Sequence, residues 1–96
     1  MPWNVKIKKK AVKVLQKLPV SVQEQFKSLA MEMRVTGPVQ ESWPNYGKIR
    51  GVSDCHHCHI KKGKPTYVVV WKVIEKNSLE VIYIGTHEKA KYQRLC

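Results

Sequence analysis

Thr66-Tyr-Val-Val-Val-Trp71 constrains this chain more than any other segment, because six successive strand-forming residues leave no polar face. A strand sends alternate side chains to opposite faces, so a segment apolar on both belongs at the centre of a sheet. It is expected to run from Thr66 to Ile74, with helices covering one side. Two further strand patterns flank it, Cys55 to Lys61 and Leu79 to Gly85. Lys62-Gly63-Lys64-Pro65 and Glu75-Lys76-Asn77-Ser78 separate the three, so consecutive hairpins in an antiparallel meander are predicted.

The first half has to supply the cover. Trp3, Val5 and Ile7 alternate with polar residues as in a half-buried strand. From Lys9 the apolar spacing turns helical, with Val12, Leu15 and Leu18 on a stripe beside Ala11, until Pro19 breaks it. Ser21-Val-Gln-Glu24 reads as a capping box, and Val22, Phe26, Leu29 and Met33 then share one helix face up to Gly37-Pro38. Residues 38 to 54 read as an ordered loop, anchored by Trp43 and Tyr46. The order β-α-α-β-β-β describes an α+β fold, a two-helix hairpin packed on a small antiparallel sheet. Ninety-six residues suit a single domain, 1–96. No apolar run approaches a bilayer span and no secretory leader is evident, so a cytoplasmic protein is expected.

Eighteen Lys and Arg against seven Asp and Glu give a formal charge of +11, which favours a polyanionic partner, nucleic acid first. Lys6, Lys8, Lys9, Lys10, Lys13 and Lys17 form a basic stripe in a segment without acids, suited to a phosphate backbone or simply to solvent. The carboxylates are few and scattered, whereas two-metal phosphoryl chemistry needs them clustered. Metal-assisted nuclease mechanisms are disfavoured on that ground, and no metal is expected.

The densest chemical cluster is Cys55-His56-His57-Cys58-His59. Its residue types suit zinc, yet on a strand Cys55 and Cys58 point to opposite faces and no second ligand pair follows. Reduced thiols are the expectation for the cysteines. The same alternation turns Cys58 and Ile60 toward the helices and sends His57, His59 and Lys61 out from the other face. Beyond the last strand, Gly85-Thr86-His87-Glu88-Lys89-Ala90-Lys91-Tyr92 adds an imidazole, two ammonium groups and a phenol at the end of the sheet. Imidazoles titrate near neutral pH and can give and take protons, so this group suits RNA cleavage by the RNA's own 2′-hydroxyl. Each of these residues also has a plain structural reading, as polar strand face, solvated charge or packing aromatic.

The element order, with the stretches His57 to Trp71 and Ile84 to Tyr92, resembles the RelE/ParE superfamily of bacterial toxins. The resemblance implies a RelE-like fold and the toxin half of a type II toxin–antitoxin pair. In its nuclease branch it implies metal-independent cleavage of messenger RNA on the ribosome, repressing translation. Carried over residue by residue, His57, His59, His87 and Tyr92 would be catalytic. Lys61, Lys62, Lys64, Lys89, Lys91 and Arg50 would bind phosphate. The implied partners are messenger RNA, the ribosome and a cognate antitoxin, with no membrane and no small-molecule cofactor. Histidines stand where many members carry lysines, and Val68 where many place an arginine. Those departures point either to the histidine-using HigB-like branch or to a non-nuclease, gyrase-directed ParE-like toxin. A zinc-stabilised nucleic-acid-binding module is the reading from a different class.

Overall fold

The computed structural model describes residues 2–49 and 54–90. The chain runs β1 (Asn4–Ile7), α1 (Lys9–Gln16), α2 (Val20–Thr36), β2 (Gly47–Lys48), β3 (Cys55–Lys61), β4 (Tyr67–Glu75), β5 (Ser78–Thr86) and a 3-10 turn at His87–Lys89. The helices cover one face of a five-stranded sheet ordered β1-β5-β4-β3-β2. β3, β4 and β5 form the expected meander, and Val68, Val69, Val70 and Trp71 of β4 are fully buried. Replacing a buried tryptophan such as Trp71 by alanine costs on the order of 3–5 kcal/mol.

The sheet is mixed and one strand larger than expected. β1 pairs in parallel with β5, Asn4 opposite Ser78 through Ile7 opposite Val81. The two-residue β2 lies within the segment read as loop and pairs antiparallel with β3, Gly47 opposite His57. Two residues carry too little periodicity to show in a sequence. The loop is otherwise anchored where expected: Trp43 Nε1 donates to Glu32 Oε2, and the Tyr46 hydroxyl lies 2.7 Å from His56 Nδ1.

The main core lies between the helices and the sheet and includes Val22, Phe26, Leu29 and Met33 of α2 with Cys58, Val69, Trp71 and Val81. A smaller cluster on the opposite face comprises Ile49, Cys55, Val70 and Ile82. Pro19 both follows α1 and precedes α2, and it displaces the capping box. Its carbonyl accepts from the amides of Val22 and Gln23, so the helix starts at Val20 and Ser21 falls inside the first turn without a side-chain cap bond. A prolyl φ near −60° is already set for this role.

Two bulges decide which way side chains face. Between His59 and Lys61, β3 spends two residues against one step of β4, so Ile60 and Lys61 both turn to the helix side. Lys61 Nζ donates to Ser21 Oγ at 2.9 Å, at the start of α2. This corrects the expectation that Lys61 stands in the row of His57 and His59. A second bulge between Val70 and Trp71 leaves Val81 in the main core and Ile82 in the smaller one.

Among the described residues no helix is long and apolar enough to cross a membrane.

α2 ends on Gly37, whose φ is +85°. A Cβ there would stand 2.7 Å from Trp3 Nε1 and 2.8 Å from Cε2, and the Trp3 amide donates to the Arg34 carbonyl at 2.7 Å. β1 is thus seated against the end of α2 by an indole lying on a bare backbone. Gly37→Ala is expected to cost about 2–3 kcal/mol, combining left-handed strain with displacement of the indole. Urea unfolding at neutral pH measures that loss, and a red-shifted tryptophan emission reports the displaced ring.

Candidate active site

On the helix-free face the pairing aligns side chains across the strands. Gly47, His57, Val70 and Tyr83 form one cross-strand row, and His59, Val68 and Gly85 form the next. β5 then ends at Thr86, opposite Tyr67, and the chain turns into the 3-10 helix that begins with His87. The His59 and His87 rings meet edge to face, centroids 5.3 Å apart. His57 shares this neighbourhood, since His59 and His87 are the two charge influences on its titration after burial. The sequence expectation that His57, His59 and His87 gather at one end of the sheet matches this placement.

A small residue stands beside His57. Gly47 on the neighbouring strand leaves only ordinary contact distance, 3.5 Å, between a would-be Cβ and His57 Nε2. Val68, fully buried, lies between His59 and Gly85 as an apolar floor. It contributes no charge to this face.

The electrostatics favour neutral imidazoles. Burial lowers the His57 pKa first, with His59 and His87 adding repulsion; burial also leads for His59, followed by His87 and Lys62. Neutral imidazoles among cations are poised to accept a proton while the surroundings attract phosphate.

Other expected residues are placed differently. Lys62 and Lys64 are exposed in the β3–β4 turn. Lys89 is exposed and borders a mostly apolar cleft of about 330 Å³ with Val14, Leu18, Tyr67, Tyr83 and Ile84, where β5 runs on past the end of β1. The basic stripe from Lys6 to Lys17 is exposed throughout. Arg50, Lys91 and Tyr92 lie outside the described residues.

The cysteines face opposite ways, as alternation requires. Cys58 is a free thiol in the main core, its pKa pushed up to about 12 by burial and by Glu32, which leaves it protonated at neutral pH. Cys55 is disulfide-bonded, which corrects the expectation of reduced thiols throughout.

Three groups went unread in the sequence. His56 is buried on the helix side, its ring parallel to Trp71 within 5° at 6.0 Å and also stacked on Tyr46. Tyr83 and Thr66 hold the backbone beside His87, with hydroxyl and carbonyl contacts described below. A tyrosine two residues before a glycine on one strand was the available sign for the first of these, because such a pair shares a face.

His56 also titrates low, chiefly through burial and then Lys48, with Asp54 opposing. A histidine whose folded-state pKa lies below its ordinary 6.5 stabilises the fold above that value and loses the contribution as pH falls through the folded-state pKa. His56, His57 and His59 all shift this way. Thermal melts are therefore expected to show lower stability at about pH 5 than at about pH 7.5. Removing any one of the three should flatten that dependence.

No family model matches the sequence. The chain is 32% identical over 71 residues to the Methanocaldococcus jannaschii protein named "Putative toxin RelE1", covering 74% of this chain and 78% of that relative. The toxin of the intact E. coli RelBE toxin–antitoxin complex superposes with a TM-score of 0.68 at 30% identity, over 91% of this chain and 99% of the other. A double arginine-to-alanine mutant of E. coli toxin RelE in the free state gives a TM-score of 0.76 at 24% identity, over 98% and 93% of the two chains. The mixed sheet under a helical hairpin, the histidine-bearing end of that sheet and these likenesses agree, and the chain belongs to the RelE toxin family.

Proposed function

We propose that the chain, as one toxin domain, is a metal-independent endoribonuclease of a type II toxin–antitoxin system, cutting messenger RNA on the ribosome in the cytoplasm and so repressing translation. The observation that carries this reading is the edge-to-face contact of His59 with His87, 5.3 Å between centroids, beside His57 on a face without helices. Cleavage by transesterification needs one group to take the proton from the 2′-hydroxyl as its oxygen bonds to phosphorus. It needs another to protonate the 5′-oxygen as the phosphorus–oxygen bond breaks. A neutral imidazole serves the first task and an imidazolium the second. Lys62 contributes positive charge near His59, and by resemblance Lys64, Lys89, Lys91 and Arg50 supply further cations and Tyr92 a phenol. The scatter of seven acids along the chain suits chemistry that draws on imidazoles rather than on carboxylate-held cations.

The use of histidines in place of lysines aligns the chain with a HigB-like mode. Its partners on this reading are messenger RNA, the ribosome and a cognate antitoxin. The E. coli relative assembles with its antitoxin, and a chain of charge +11 suits an acidic covering segment. A non-nuclease toxin that binds gyrase is the second reading, favoured by the uncharged, buried Val68 at the floor of the site.

Purified protein with ribosomes and messenger RNA in excess chelator is expected to cleave. His59→Ala and His87→Ala should each lower the rate roughly 10²–10⁴-fold with the fold intact, as loss of a general acid or base does. Intact message with wild-type protein, together with inhibition of gyrase supercoiling, would instead favour the second reading.

A further inference from the structure

Tyr83 lies on the helix-free face opposite Val70, packed against the smaller core, and the histidine cluster does not account for it. Its hydroxyl donates to the Thr86 carbonyl at 2.9 Å. Residues 83 and 85 of a strand share a face, so the phenol must cross position 85 to reach that carbonyl. Position 85 is glycine, and a Cβ there would meet Tyr83 Oη at 2.7 Å and Cζ at 3.0 Å. The missing side chain is what opens the path for this hydrogen bond.

The same peptide unit is held at its other end. The His87 amide donates to the Thr66 carbonyl at 2.9 Å, and Thr66 Oγ1 donates to the Gly63 carbonyl at 2.9 Å in the β3–β4 turn. Thr86–His87 is therefore tied through its oxygen to β5 and through its nitrogen to the approach to β4, immediately before the His87 side chain. Regular support is running out here: the last β1 pair is at Val81 and the last β4 pair at Thr86. A frayed strand end would leave the imidazole beyond it free to wander by an ångström or more.

We infer that Tyr83 is a positioning residue, which with Gly85 and Thr66 clamps the Thr86–His87 peptide and so fixes the His87 ring edge-on to His59. The inference rests on the nuclease reading for its catalytic consequence, though the clamp itself does not. A displacement of about 1 Å in a reacting group can cost as much as 10²-fold in rate, so a single hydrogen bond at this hinge has leverage.

Tyr83→Phe keeps the ring and removes the donor, while Gly85→Ala keeps the hydroxyl and blocks its approach. In the cleavage assay both are expected to lower kcat roughly tenfold, with KM for programmed ribosomes changed by less than about twofold. The second readout needs no activity: proton NMR titration of the histidine ring Cε1 signals in the free protein. His59 is held low by burial, His87 and Lys62, and it stands beside His57 as well. Release of His87 is expected to raise its midpoint in both variants and to weaken cross-peaks between the His59 and His87 rings. Wild-type titrations and cross-peaks in folded Tyr83→Phe and Gly85→Ala would overturn the clamp. Shifted titrations with no cleavage by the wild-type protein would uphold the clamp and defeat the nuclease reading. Should Tyr83→Phe not fold, Gly85→Ala carries the same two readouts.

Discussion

The double-sided burial of β4 is the constraint from which the rest follows. Four consecutive residues, Val68 to Trp71, are closed off from water, and that is possible only with a strand on each edge and cover on each face. β3 and β5 fill the edges and carry the candidate site between them: His57 and His59 on one, Gly85 and the approach to His87 on the other. β4 itself offers the site only valines. The arrangement separates labour, with the central strand providing rigidity and its neighbours providing chemistry.

That separation sets the electrostatic character of the site. Because the floor is apolar and the histidines stand together, burial and mutual repulsion both push the His57 and His59 imidazoles toward neutrality. The histidines on the helix-free face and His56 beneath the helices are adjacent in the chain yet occupy different environments, one set partly open beside a cleft-lined edge and the other sealed between aromatic rings.

The sequence made the central strand, the meander and the two helices legible because each is a local pattern: period two around residues 55–85, and three-and-four spacing at Val22, Phe26, Leu29 and Met33. It also placed Cys55 and Cys58 on opposite faces and joined His57, His59 and His87 at one end of the sheet, since alternation and hairpin order suffice for that. Lys61 was misjudged because the same alternation was carried through a bulge. A bulge is one extra residue, and it arises from how two strands fit each other rather than from either alone. The capping box at Ser21 failed for a related reason, as Pro19 had already started the helix two residues earlier.

Composition and periodicity by themselves determined an acid-poor, basic α+β chain with a fully buried strand and imidazoles at its neighbour's exposed face. Only the tertiary structure decided that β1 joins β5 in parallel, that Gly47 adds a further strand beside His57, and that Tyr83 reaches over Gly85 to the peptide before His87. Side-chain type and spacing act over a few residues and are written along the chain. Strand partnership, bulge placement and a phenol crossing a bare backbone depend on which distant segments come together, and that is settled by packing the whole core at once.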